Sequence, residues 1–246
     1  YSAAAHQALE LIAVATEDIT HGAGAAALNV QCYTTFALRW LIPRLHRFYA
    51  AHPDLQVNLT TSVLPADFSL GTLDASIQFG EPKWPEVSTD LLLPDLFCPV
   101  CAPSVAKGLP LERPEDLAGH TFIYSYHRRG DWRVWLSAAG VPNLQPARRV
   151  TFESSSLVYQ AAIEGLGVAI AQPLLVQTEL IEGRLVAPFK LRVRRPLAYY
   201  LVRPKKLRVP PKVAAFRKWL LAEAQGSVAL EEAADQRAET PEASGA

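Results

Sequence analysis

The stretch LNVQCYTTF, residues 28–36, decides the fold once it is set beside RVTFESSSL, residues 149–157. Each is a short apolar strand pattern that runs into a hydroxyl cluster and then into a helical pattern. Thr34 and Thr35 stand at the first predicted helix start, and Ser154, Ser155 and Ser156 at the second. Ser and Thr are favoured there because their oxygens accept from backbone N–H groups that have no partner inside the helix. The same free N–H groups, with the positive end of the helix dipole, attract anions. Taken singly, each cluster also reads as an ordinary N-cap. As two copies about 120 residues apart, they predict two similar α/β lobes facing one cleft, a layout suited to a receptor for a small polar ligand.

Working outward, the pattern alternates strand and helix. Phe36 to Ala51 is helical, with Pro43 expected to kink or restart it. LQVNLTTS and Leu73 to Phe79 are strands, residues 90–101 are extended and broken by Pro94 and Pro99, and GHTFIYSY is a strand. DWRVWLSAAG is a helix stopped by Gly140, Ser155 to Glu164 is a helix ended by Gly165 and Gly167, and VAIAQ is a buried strand. This alternation implies an α/β fold with a largely parallel sheet. Residues 1–19 form a helical pattern in which Tyr1, Ala5, Ala8, Ile12, Ala15 and Ile19 fall at alternating spacings of four and three. Such a seam packs either on a partner helix or on its own domain. The Ala/Glu-rich residues 226–246 lack a core pattern and are expected to be a disordered acidic tail.

The bulk composition narrows the function classes. Hydrophobic content of 50% predicts a packed core, and a formal net charge of +0 gives no global pull toward nucleic acid or membrane. No apolar run approaches the length of a membrane span, and there is no secretory signal pattern, so a cytoplasmic location is expected. Three cysteines, Cys32, Cys98 and Cys101, are too few for a disulfide scaffold. The absence of methionine, even at position 1, leads us to expect a missing upstream segment. CPVC at 98–101 has redox or zinc spacing, but it lacks a second ligand pair and lies in an extended, proline-broken segment, so a structural role is expected. No HExxH, GxSxG, phosphate loop or dinucleotide fingerprint is present. No metal, cofactor or catalytic residue is therefore assigned. Trp132 and Trp135 read as helix packing. Residues 190–218 carry eleven Lys/Arg and no acid. Basic clustering is one mark of nucleic-acid contact, but the alternation with Leu191, Val193, Leu197 and Leu201 favours a solvated strand face. Asp67 reads equally as a ligand contact, a hinge contact or a turn residue.

LRWLIPRLHRFYAAHPDLQVNL (38–59), LDASIQFG (73–80), IEGLGVAIAQ (163–172) and GRLVAPF (183–189) together resemble the regulatory half of LysR-type transcriptional regulators. The order and spacing of these runs carry the resemblance more than any one of them. The Asp67-Phe68 pair, Trp84-Pro85, Pro188-Phe189 and the closing WLLAEA are similar to the glycine-cleavage-activator subgroup. YSYHRRGDWRVWLSAAG and VTFESSSLVYQAAIEGLGVAIA are most similar to its AmpR branch, regulators of β-lactamase genes that sense cell-wall muropeptides.

The resemblance implies two Rossmann-like subdomains of the type II periplasmic-binding-protein kind, joined by two crossover strands. Subdomain I would cover 28–98 plus 203–224, and subdomain II 99–202. Residues 1–20 would be the linker helix that forms a homodimer, or part of a homotetramer. DNA would be bound only through a winged helix-turn-helix domain upstream of this chain. An effector would bind between the lobes, at Thr34, Thr35, Asp67, Gln78, Phe79, Tyr126, Ser154, Ser155, Ser156 and Tyr199. One departure stands out: where the family often has Ile-Arg-Tyr-Gly, this chain has Ile77-Gln78-Phe79-Gly80, which removes a fixed cation from near the cleft. Arg128 and Arg129 offer a replacement charge, but both are expected on the surface. The competing readings are a free-standing solute-binding protein of the same fold, against which the missing secretion signal counts, and an enzyme, for which no catalytic set is present.

Overall fold

The computed structural model describes residues 26–205 and 208–239. The predicted dimerisation seam, Tyr1 to Ile19, lies outside the described residues.

The described residues form eight strands: β1 (Ala26–Cys32), β2 (Leu55–Thr61), β3 (Ala75–Gly80), β4 (Val87–Val100), β5 (Thr121–Ser125), β6 (Arg148–Phe152), β7 (Val168–Ala171) and β8 (Val193–Pro204). They make one mixed sheet in the order β2-β1-β3-β8-β4-β7-β5-β6. In one half, β1 pairs in parallel with β2 and β3; in the other, β5 pairs in parallel with β6 and β7. The predicted parallel pattern holds within each half. Between the halves the long strands β4 and β8 run antiparallel to each other, β8 joins β3 and β4 joins β7, both antiparallel. Chain direction reverses because β4 leaves the first half and β8 returns to it.

The helices are α1, a continuous run of α-helical Thr34–Phe36, π-helical Ala37–Leu41 and α-helical Ile42–Ala51; α2 (Pro103–Gly108); α3 (Asp131–Ala138); α4 (Ser155–Ile163); α5 (Gln177–Ile181); and α6 (Pro211–Glu239). α1 restarts as α-helix at Ile42, with Pro43 in its first turn, directly after the π-helical stretch. Proline has no N–H to offer the ladder, and the turn before it widens so that the Ile42 N–H bonds to the Ala37 carbonyl, five residues back.

Alternating apolar residues bury one face of each strand. In the first half Leu28, Val30, Ile77 and Leu201 meet Phe36, Trp40 and Phe48 of α1 and Phe216 of α6, all essentially unexposed. In the second half Phe97, Phe122, Trp132, Trp135 and Phe189 form a separate core. Trp132 stacks on Phe122, with ring centroids 3.6 Å apart and planes 9° apart, which accounts for the Trp pair as packing. Gly165 ends α4 in the left-handed region at φ 79°, and Gly167 lets the chain pass against β5: a Cβ there would lie 2.3 Å from the Thr121 carbonyl oxygen.

Two expectations are corrected. The chain does not lose structure at 226, because α6 continues to Glu239. Alanine and glutamate extend a helix at little cost, and the extension is anchored: Ser227 and Glu231 are buried, and the Trp40 indole N–H donates to Ser227 Oγ at 3.2 Å. The basic run 190–218 is not simply a solvated face. Arg195 reaches Asp95 and Asp131, Lys212 pairs with Asp74 at 2.6 Å, and Arg217 forks onto Asp90 with bonds of 2.7 and 2.5 Å. These acids come from distant segments, which is why the local sequence showed only excess positive charge.

Candidate functional site

The two hydroxyl clusters meet. β1 turns directly into α1 and β6 into α4, and the two helix N-termini are in contact across the two halves. Thr35 Oγ1 accepts from both the backbone N–H and the hydroxyl of Ser156, each at 3.1 Å. Ser154 caps α4, its Oγ accepting from the Leu157 N–H at 3.4 Å. Thr34, exposed at the first turn of α1, lies at the mouth. A cavity of about 300 Å³ opens beside this contact, lined by Thr34, Thr35, Phe79, Ser154, Ser155 and Tyr199 from the expected set. Tyr33, Val63, Ser125, His127 and Arg128 also line it.

Four expected residues are placed otherwise. Ser156 is spent on the bridge to Thr35. Gln78 is buried on the strand face opposite Phe79, as strand alternation requires, and its amide donates to Ser76 Oγ at 3.3 Å. Asp67 is an exposed turn residue outside the cavity lining, its Oδ1 accepting from the Ser69 N–H at 2.9 Å. The Ser69 hydroxyl and N–H together hold the Asp67 carboxyl below its usual range. Tyr126 is 54% exposed, and Arg129 lies over its ring at 4.0 Å.

Arg128 corrects the surface expectation. Only 13% of its side chain is exposed, and its guanidinium sits 4.7 Å from the centroid of Phe79. Its Nη2 donates to Asp95 Oδ1 at 2.8 Å and its Nε to Asp131 Oδ2 at 2.6 Å. Arg195 Nε donates to Asp95 Oδ2 at 2.7 Å, and Arg195 Nη2 lies 2.9 Å from Asp131 Oδ1. Gln172 donates to Asp95 at 2.7 Å and accepts from the Tyr199 hydroxyl at 3.5 Å. The two arginines and two aspartates cancel in formal charge, so each buried ion is compensated. Burial alone would lower the Arg128 guanidinium, but Asp131 and Asp95 raise it above its ordinary value and keep it charged. Burial pushes the phenols of Tyr199 and Tyr159 up, Tyr159 to about 12, so both stay neutral; Tyr199 donates to Gln172, and Tyr159 accepts from the Gln172 N–H.

Asp95 lies on β4 and Arg195 on β8, so this network ties the cavity wall to both crossover strands. Ser125 was not singled out, and Arg128 was named only as a surface charge, because nothing local distinguishes them. The available signal was position: both follow directly from the C-terminal end of the parallel strand β5, the edge at which open α/β sheets take ligands.

The cysteine pair is chemically quiet. Cys98 and Cys101 are buried and in no disulfide, and burial pushes Cys101 up to about 11, away from thiolate chemistry. Among the described residues no group of His, Cys, Asp and Glu is arranged to hold a metal ion, and no helix is long and apolar enough to cross a membrane.

Comparison with known proteins gives a consistent result. The family described as LysR substrate binding domain matches residues 21–225. The glycine cleavage system transcriptional activator of Escherichia coli is 36% identical over 211 residues, covering 85% of this chain and 69% of that protein. The transcriptional activator AmpR of Pseudomonas aeruginosa is 34% identical over 195 residues, covering 79% of this chain and 64% of its own length. Among solved structures, the effector domain of the Pseudomonas aeruginosa AmpR superposes with a TM-score of 0.70 at 33% identity, covering 83% of this chain and 99% of that one. The AmpR effector binding domain of Citrobacter freundii gives 0.71 at 27% identity, covering 81% and 98%.

Proposed function

The chain belongs to the LysR family of transcriptional regulators as its effector-binding domain, of periplasmic-binding-protein-like fold, and from that premise we propose that it senses a small polar effector in the cavity between its two lobes. The relatives are regulators rather than enzymes. The observation that carries the proposal is the Thr35–Ser156 bridge beside a 300 Å³ cavity. A ligand there competes for or reinforces the polar bridge that joins the two helix N-termini. It thereby biases the angle between subdomain I (28–98 plus 203–224) and subdomain II (99–202). The moving units hinge on β4 and β8. In the whole regulator the change passes to a homodimer or homotetramer and to a DNA-binding domain upstream of this chain.

The finer reading is AmpR-like control of a β-lactamase gene by muropeptides, supported by the AmpR relatives. A cavity at the small end of the usual range of about 300–1,000 Å³ admits the peptide end of a wall fragment, not a whole nucleotide-linked precursor. A regulator of glycine cleavage genes is the second reading, favoured by the similarity to the Escherichia coli activator.

The test is thermal unfolding of this chain with muropeptides, glycine and other amino acids, and aromatic acids. A ligand at 100 times its dissociation constant stabilises by about 2.7 kcal/mol, which moves the midpoint by a few degrees. A shift with wall peptides that disappears in Thr35→Val supports the AmpR-like reading. A shift with glycine alone supports the second. Binding that survives every cavity substitution places the effector elsewhere and ends the proposal.

A further inference from the structure

We propose that the C-terminal part of α6, from Gly226 onward, is a strap that spans the hinge between the two halves and sets how freely their angle changes; the proposal rests on the reading that the halves move about β4 and β8. The hinge is visible in the strand register. Leu91 pairs with Tyr200 and Leu93 with Tyr199, so Leu92 is skipped. Pro94 pairs with Ala198 and Asp95 with Arg195, so Pro196 and Leu197 are skipped in turn. A bulge bends a strand and interrupts its ladder, and proline removes a donor from it. Both irregularities and both prolines fall between Leu91 and Asp95 of β4 and their partners on β8, so bending concentrates there.

α6 passes beside this point. Up to Glu223 it is fastened to the first half: Lys212 pairs with Asp74, Arg217 with Asp90, and Arg47 donates to Glu223 at 2.8 Å. It then runs on past residue 225, where the family match ends. Ser227 and Glu231, four residues apart and so on one helix face, are 4% and 8% exposed. Ser227 Oγ accepts from the Trp40 indole at 3.2 Å and the Arg44 guanidinium at 3.4 Å, both on α1 in the first half. One turn on, Glu231 pairs with Arg192 at 3.5 Å. Arg192 belongs to the second half: the carbonyl of its neighbour Leu191 accepts from the Trp135 indole at 3.1 Å, in the core that holds Phe189. α6 also meets the turn Pro173–Leu175 that follows β7. Val228, Ala229 and Glu232 line one groove of about 580 Å³ with Pro94, Pro196 and Leu197, the bulged part of the crossover. The helix is thus tied to one half at Ser227 and to the other at Glu231, with the hinge alongside. Gly226 is its weak point, because an interior glycine lowers helix stability, and a Cβ added there would meet nothing within 4 Å. A change of angle must part Glu231 from Arg192 or flex the helix at Gly226, so the strap sets the share of each state before any effector binds.

The experiment reads the angle directly and needs no effector. Spin labels are attached through Ala50→Cys on α1 and Ser137→Cys on α3, two exposed positions on opposite halves. The native cysteines are buried and stay unlabelled. Labelled chain is diluted into unlabelled chain, so that pulsed EPR reads distances within one chain. We expect one main distance in the parent. Glu231→Gln should raise the share of chains away from that distance by about two- to fivefold. A chain ending at Leu230, which keeps the Ser227 anchor, should raise it at least as much. Gly226→Ala stiffens the helix and should lower it. An unchanged distribution on loss of Glu231 by either route would overturn the strap, as would a broader one in Gly226→Ala. Thr35→Val separates the strap from the lobe reading. Broadening in that variant with none on loss of Glu231 ends the strap alone, whereas one fixed distance in every chain ends both.

Discussion

Thr35 at the start of α1 and Ser156 at the start of α4 are 121 residues apart in sequence, yet Thr35 Oγ1 accepts two hydrogen bonds from Ser156. Thr35→Val keeps the shape of the side chain and deletes both bonds. The Ser156 N–H is then left without its partner at a site where Thr35 is 7% exposed. The expected loss is about 1–3 kcal/mol in urea unfolding. Ser156→Ala removes only one of the two bonds and should cost about 0.5–1.5 kcal/mol. Equal losses for the two variants would show that the bridge adds nothing beyond the hydroxyl itself.

Much of this was legible beforehand, and the reason is locality. The strand and helix positions follow from apolar periodicity and turn residues within about ten neighbours of each other, and the paired clusters Thr34–Thr35 and Ser154–Ser156 announced two helix N-termini. What failed to show was anything assembled from distant segments. Arg128 looked like half of a surface pair because Asp95 lies 33 residues away and Arg195 reaches Asp95 across 100. Asp67 looked like a ligand because a turn-forming aspartate and a binding aspartate have the same local context. The helix beyond 226 was misread because its anchor, Trp40, is 187 residues upstream of Ser227.

The four-ion network makes Asp95 a sensitive polar position. It is 0% exposed, pairs with both Arg128 and Arg195, and with Asp131 balances their charge. Asp95→Ala leaves two partly buried cations with only Asp131 between them. The expected destabilisation is about 3–5 kcal/mol, read as a lower denaturation midpoint with little change in slope. A loss under about 1 kcal/mol would mean that water reaches the site and the network is not closed.

Acid sensitivity should run through Asp90. The hydrogen bond from Arg217 holds its carboxyl below the ordinary value of 3.8, assisted by charge from Arg217 and Arg203 against the opposing effect of burial. A folded value below the unfolded one means the stabilisation is complete above about 3.8 and is lost as pH falls through the lower folded value. Arg217→Gln removes the main cause, so its stability should fall less steeply than that of the parent as the pH drops below the ordinary value of 3.8. Parallel acid limbs for the two proteins would exclude Asp90 as a contributor.

The three thiols should be silent in the native protein. Cys32, Cys98 and Cys101 are buried and in no disulfide, and burial pushes Cys32 up to about 12 and Cys101 to about 11. Thiolate is the reactive form, so a disulfide reagent at neutral pH should modify none of them before the chain opens, and three per chain in denaturant. One thiol reacting at the rate of a free cysteine in the folded state would show that CPVC is accessible, and would reopen the redox reading.

Gly167 tests whether the passage from α4 into β7 is as tight as the geometry indicates. An alanine Cβ would stand 2.3 Å from the Thr121 carbonyl oxygen and 2.8 Å from the Thr121 Cβ, and both belong to β5, so relief requires the strand to move. Gly165, two residues earlier, is different: it has φ 79°, and its added Cβ would meet only the Ser104 hydroxyl at 3.2 Å and a Val105 methyl. Gly165→Ala should therefore cost about 1–2 kcal/mol through backbone strain alone. Gly167→Ala should cost at least about 1–3 kcal/mol through overpacking and should also weaken effector binding, because β5 carries Ser125 into the cavity. Measuring both variants by urea unfolding and by ligand titration separates the two causes: strain at Gly165 lowers stability alone, whereas a shifted β5 lowers stability and affinity together.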